Sequence, residues 1–63
     1  MNTPVTVTLE LSDSQALALA QFVKRVGWSE FRSNAVDDVE AREIRSAVDQ
    51  LQHALADAGY APR

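Results

Sequence analysis

The C-terminal part of the chain carries an apolar seam whose residues recur at alternating intervals of three and four. They are Ala41, Ile44, Val48, Leu51, Leu55 and Ala58. This heptad-like spacing places all six on one face of a single long helix. Asp37 and Glu40 form a capping-box pattern at its start, Gly59 marks its end, and Pro62 prevents it from continuing. We therefore predict a long C-terminal helix that begins after Asp37 and packs its seam on the first helix of the chain.

The N-terminal residues follow a different period. Apolar positions alternate with polar ones from Thr3 to Leu11: Val5, Val7, Leu9 and Leu11 against Thr6, Thr8 and Glu10. Period two with β-branched residues indicates a half-buried strand. No other segment of the chain has this pattern, so the strand needs a partner in a second copy, in a target or in an irregular segment.

Two helices are predicted between these segments. Ser12 and Gln15 form a capping box that begins the first helix, and Phe22 falls among the residues of its apolar face. Gly27 is expected to end that helix in a left-handed conformation, and Ser29 to cap a short helical turn over residues 28–32. The prediction is an α+β fold, mainly helical, with one N-terminal strand, a helix, a short helix and a long C-terminal helix, forming a single domain over residues 1–63.

Length and composition limit how such a chain can be stabilised. It has 63 residues, no cysteine and one histidine, and its formal net charge is −3. A domain of this size buries only about 60% of the surface of its unfolded chain, and small domains usually add disulfides, a metal or an oligomeric contact. Self-association or docking on a partner is therefore expected. The absence of cysteine and of any run near the roughly 18 apolar residues of a membrane span predicts a cytoplasmic protein.

The sequence offers few groups for catalysis. His53 lies one helical turn from both Asp49 and Asp57, but this row on an exposed face has no further ligands, and we assign it no metal. No serine is placed beside an oriented base, and no glycine-rich loop could hold a phosphate. We predict that the protein is not an enzyme and that it has no cofactor.

Acidic residues carry most of the functional information. Carboxylates at helix starts are favoured by capping and by the helix dipole, which accounts for part of the set without any partner. The same carboxylates could instead imitate nucleic-acid phosphates and occupy a basic groove of a host protein or ribonucleoprotein complex. The predicted partner-binding residues are Glu10, Glu30, Asp37, Asp38, Glu40, Glu43 and Tyr60. The negative charge makes direct binding to nucleic acid or to membranes unexpected.

Two resemblances extend these predictions. Residues 4–36, with Ser29-Glu30-Phe31 followed by Ala35-Val36, resemble ribbon–helix–helix repressors. That resemblance implies a dimer paired through its N-terminal strands, whose outward side chains (here Thr6, Thr8 and Glu10) read the major groove of DNA.

The second resemblance covers more of the chain. Residues 18–27, 35–38 and 54–63 resemble short uncharacterised proteins of proteobacterial phages and mobile elements. It implies an accessory role during phage or plasmid residence, and small acidic products of this kind include anti-CRISPR inhibitors. The predicted function is a small acidic inhibitor, anti-CRISPR-like, that blocks a basic nucleic-acid-binding surface. The alternative is a dimeric ribbon–helix–helix DNA-binding regulator, and either could form a homodimer through the N-terminal strand.

Overall fold

A computed structural model describes residues 3–61 as three α-helices joined by short connections. The helices are α1 (Asp13–Arg25), α2 (Trp28–Ser33) and α3 (Asp38–Asp57). The long helix α3 packs against both of the others. The predicted order of helix, short helix and long helix is therefore confirmed, and so is the packing of α3 on the first helix.

The predicted N-terminal strand is wrong, and with it the α+β class. Residues 3–61 contain no strand, so the part of the chain that the structure describes is all helical. Residues 3–12 belong to neither a helix nor a strand. The physical reason lies in pairing, since a strand is defined by hydrogen bonds to a neighbour and this chain holds only one segment with strand periodicity.

The start of α1 follows its sequence signal, whereas its end does not. The Gln15 amide donates to the Ser12 hydroxyl at 3.1 Å, and the Ser12 amide donates to the Gln15 side chain at 3.0 Å. This reciprocal pair is the predicted capping box. Gly27, however, has φ −130° and ψ −173°, which is extended backbone, and it stands as the N-cap of α2 in place of Ser29. The expected left-handed conformation at Gly27 is therefore wrong.

Helix α3 begins and ends where the sequence indicated. Asp37 is its N-cap and accepts a hydrogen bond from the Glu40 amide at 2.9 Å. The predicted capping box is only half formed, because the Glu40 side chain accepts from the Val36 amide at 3.1 Å and not from the Asp37 amide. Gly59 follows its last turn with φ +101°, a conformation that residues with a side chain rarely adopt. The predicted stop at Pro62 lies outside the described residues.

The core is small and lies between α1 and α3. Its buried cluster consists of Ala16, Ala20 and Val23 from α1 and Leu55 from α3. Further apolar side chains pack against this cluster while staying partly exposed: Leu19, Val48, Leu51 and Tyr60. Phe31 of α2 and Ala41 of α3 are buried as well, outside this cluster. Because three of the six buried residues are alanines, the helices cover little apolar surface per residue.

A thin core leaves a large surface. The chain exposes 5301 Å² and measures 34 × 27 × 16 Å along its principal axes. A folded monomer of 6.9 kDa is expected to expose roughly 4000 Å². The excess of about 1300 Å² is surface that a compact domain of this mass would bury.

Candidate partner-binding surface

An apolar groove of about 350 Å³ lies between α1, α2 and α3. It is lined by Phe22, Val26, Glu30, Phe31, Asn34, Ile44 and Val48. Phe22 is 61% exposed, whereas Phe31 is only 8% exposed and belongs to the buried interior. An exposed aromatic beside an apolar groove is typical of the places where a partner's anchoring side chain binds.

Sequence reasoning missed this groove because it assigned Phe22 to the buried face of α1. The buried positions of that helix are Ala16, Ala20 and Val23, spaced by four and three residues. Phe22 comes one position before Val23, about 100° round the helix from it, and so lies at the edge of the apolar stripe. The offset of about 100° between Phe22 and Val23 was the feature of the sequence that could have shown Phe22 to be exposed.

Glu30 lines the groove and also closes the start of α2. Its Oε2 atom accepts hydrogen bonds from the Gly27 amide and from the Ser29 hydroxyl, both at 3.2 Å. The amide of Glu30 itself, followed by Ser29 and Gly27, holds the pKa of this carboxyl below its ordinary value. Glu30 is therefore a carboxylate at neutral pH on the rim of the apolar groove.

Most of the predicted acidic residues come together at the start of α3. We call this surface the acidic end, and it consists of Val36, Asp37, Asp38, Val39, Glu40 and Glu43. All six residues are exposed, and its apolar members are strongly so, at 82% for Val36 and 62% for Val39. Glu40 lies one turn before Ile44, which lines the groove, so the acidic end adjoins the groove along α3.

Several of these carboxylates have structural roles as well. Asp37 caps α3, and the Glu40 side chain accepts a hydrogen bond from the Val36 amide at 3.1 Å. Arg32 forms an ion pair with Asp38, its Nε atom lying 2.6 Å from Oδ1. Each bond occupies one oxygen of an exposed carboxylate, so capping accounts for where these residues occur and leaves them accessible to a partner.

Glu10 and Tyr60 lie elsewhere. The Tyr60 hydroxyl donates to Asp13 Oδ1 at 2.5 Å, which ties the end of α3 to the start of α1. This hydrogen bond raises the pKa of Tyr60, and burial and the negative charge of Asp13 raise it further. Glu10 is exposed and lies just before α1, on the side of the molecule where Tyr60 contacts Asp13. The acidic end is at the opposite end of α3, whose 20 residues span about 30 Å. The structure therefore brings Glu30, Asp37, Asp38, Glu40 and Glu43 to one end, and Glu10 and Tyr60 to the other.

The histidine has no ligand set around it. His53 is exposed on α3, and residues 3–61 contain no group of three or more His, Cys, Asp or Glu side chains that could hold a metal ion. Within the same part of the chain, no helix is long and apolar enough to cross a membrane.

Comparison with known proteins gives a family and no function. The whole chain, residues 1–63, matches the model of a family of unknown function, DUF7706, and the chain belongs to that family. No curated protein and no solved structure matches the chain.

Proposed function

We propose that this member of the DUF7706 family is a small protein-binding module of the cytoplasm, an accessory protein of a phage or mobile element. It inhibits a host complex by occupying a basic, nucleic-acid-binding surface, as an anti-CRISPR protein does. The observation that carries the proposal is the pairing of exposed apolar side chains with exposed carboxylates at the acidic end and along the adjoining groove. We propose no catalytic role and no cofactor.

The apolar and charged parts of this surface have different tasks. Val36, Val39 and Phe22 offer apolar area that a partner can bury, which supplies affinity. Carboxylates around such a patch speed the encounter with a basic partner and disfavour acidic ones, while contributing less to affinity. A basic surface with a few apolar side chains is the complementary partner, and nucleic-acid-binding proteins present surfaces of this charge.

Two single substitutions on α3 test the proposal. Glu43→Lys and Asp49→Lys both replace an exposed carboxylate and change the net charge equally. Residue 49 lies about 120° round the helix from residue 43, away from the acidic end. Neither position caps α3, whose cap is Asp37, so both variants are expected to stay folded.

The assay is capture of a partner from a host lysate, followed by competition with the purified partner. We expect the wild type and Asp49→Lys to capture a nucleic-acid-binding protein and to displace its nucleic acid. Glu43→Lys is expected to weaken that competition by about tenfold, the lower range of electrostatic steering effects, and added salt to reduce the difference. Equal competition by both variants, or a captured protein that does not bind nucleic acid, would contradict the proposal.

A second candidate function is a dimeric ribbon–helix–helix DNA-binding regulator. Residues 3–11 favour it, because no hydrogen bond involves their backbone in the part of the chain that the structure describes. In that function Thr6, Thr8 and Glu10 face the DNA. A band shift with the DNA upstream of the gene at low salt, lost steeply as salt rises, would support it, and the absence of a shift would remove it.

A further inference from the structure

The apolar groove has walls that match two side chains one helical turn apart. Phe22 and Val26 of α1 form one wall, and Ile44 and Val48 of α3 form the other. Each wall consists of two residues spaced by four, so it extends for about 5–6 Å along its helix. Side chains at positions i and i+4 of a third helix have the same spacing. We propose that the groove binds a helical segment of the partner, with two apolar side chains between these walls and one basic side chain at Glu30.

The polar groups of the groove favour a helix over an extended segment. Glu30 and Asn34 are the polar members of its lining, and the Asn34 amide nitrogen already donates to the Glu30 carbonyl at 2.8 Å. An extended segment would bury backbone groups against apolar walls without partners, at a cost of about 1–3 kcal/mol for each group. Residues 3–61 also contain no strand whose edge such a segment could join. A helix pairs its own backbone groups and presents only side chains to the groove.

Glu30 supplies the charged contact. The Gly27 amide and the Ser29 hydroxyl both donate to its Oε2 atom, which fixes the carboxylate and leaves Oε1 to accept from a basic side chain of the partner. Arg25 lines the neighbouring depression, which shares Phe22 and Glu30 with the groove. Its positive charge disfavours further basic side chains on that side. The complementary helix therefore carries one basic residue beside its apolar pair.

This inference rests on the proposed function, because it specifies the kind of segment that the host protein places in the groove. It adds a requirement that the proposed function does not contain. The occupant is a helix, and its basic residue is recognised by Glu30 and not by the acidic end.

Labelled peptides of about 15 residues in an alanine-rich helical host are the probes. The basic peptide has two leucines four positions apart and an arginine one turn from them. The second peptide has glutamine in place of the arginine, and the third is the basic peptide with a proline between the leucines, which breaks the helix. Fluorescence anisotropy measures the affinity of each. We expect the wild type to prefer the basic peptide to the glutamine peptide by about fivefold, the upper range for an exposed ion pair.

Variants of the protein assign the two kinds of contact. Glu30→Gln removes the charge but keeps an acceptor for the Gly27 amide, since glutamine also serves in a capping box. It is expected to abolish the preference for arginine while leaving the affinity for the glutamine peptide unchanged. Phe22→Ala is expected to weaken binding of the basic peptide by at least about fivefold. Leu17→Ala is the matched control, because Leu17 is exposed on the same helix but does not line the groove, and it is expected to bind as the wild type does.

Three results would overturn the proposal. They are no binding of the basic peptide by the wild type at about 1 mM, equal binding of the proline peptide, and a preference for arginine that Glu30→Gln retains. A wild type that sediments as a dimer and a Phe22→Ala variant that sediments as a monomer would also overturn it, since a second copy would then occupy the groove.

The proposed function fails in a different way. If Glu43→Lys weakens competition for the captured partner while the basic peptide does not bind, the proposed function stands and the helical occupant is wrong. If the peptides behave as expected and the captured protein does not bind nucleic acid, the specificity of the groove stands and the proposed function is wrong.

Discussion

Two phenylalanines nine positions apart provide a sharp test of the fold. Phe31 is 8% exposed, and its replacement by alanine is expected to cost about 3–5 kcal/mol, as for other buried aromatic residues. A domain of 63 residues has a free energy of unfolding of only about 3–9 kcal/mol in total. The Phe31→Ala variant should therefore lose most or all of its stability.

Phe22 should behave differently, because 61% of it is exposed. Full burial of such a side chain contributes about 1.5–3 kcal/mol, so the buried part of Phe22 contributes about 1 kcal/mol. Alanine also has the higher helix propensity, which offsets part of that loss. Phe22→Ala should therefore fold nearly as well as the wild type.

Urea unfolding followed by far-ultraviolet circular dichroism measures both effects, with Trp28 fluorescence as a second probe. For a small domain with a slope of about 1 kcal/mol per molar urea, Phe22→Ala should lower the midpoint by less than about 1 M. Phe31→Ala should be largely unfolded without urea. Equal losses of stability for the two variants would refute the structural assignment and restore Phe22 to the core. If Phe22→Ala keeps its stability and captures less of the partner, the groove is part of the binding surface.

Further predictions concern the caps and the closure of the fold. Ser12→Ala removes the side-chain acceptor at the start of α1 and should cost about 1 kcal/mol in urea unfolding. Gly59→Ala should lower the free energy of unfolding by about 1–2 kcal/mol, because φ is +101° at that position. Gly27→Ala should be tolerated, because the backbone there is extended and an added Cβ would meet only a flexible side-chain atom at 3.6 Å. The pKa of Tyr60 is raised in the folded protein, so its neutral hydroxyl stabilises the fold fully at pH values below the ordinary pKa of 10.0. This stabilisation is lost as the pH rises through the folded-state pKa. Tyr60→Phe, which cannot donate to Asp13, should lower the melting temperature at neutral pH and remove this alkaline loss; an unchanged alkaline profile would contradict the assignment.

Local signals in the sequence were sufficient for the helices. The seam through Leu51 and Leu55 and the caps at Ser12, Asp37 and Gly59 are short-range patterns, and each depends only on neighbours within about one turn. All of them appear in the structure where the spacing placed them. Gly27 is the exception among these signals, because the following helix needed an extended N-cap at that position.

Features that depend on distant parts of the chain could not be read in the same way. The strand prediction failed because the described residues hold no second strand with which residues 3–11 could pair, and period two reports only which side chains share a face. The position of Phe22 was wrong because the width of a buried stripe depends on how closely α3 approaches. The acidic residues were found by type, but their division into two groups follows from the length of α3, which separates Glu10 from Glu43.

The length of α3 has a consequence for how the protein should be immobilised in a binding assay. Its 20 residues span about 30 Å and separate the acidic end from the Tyr60–Asp13 hydrogen bond. A solid support attached through residues 3–11 therefore leaves the acidic end open to a partner, whereas a support attached at Val36 or Val39 covers it. The proposed surface predicts capture of a partner in the first orientation and its loss in the second.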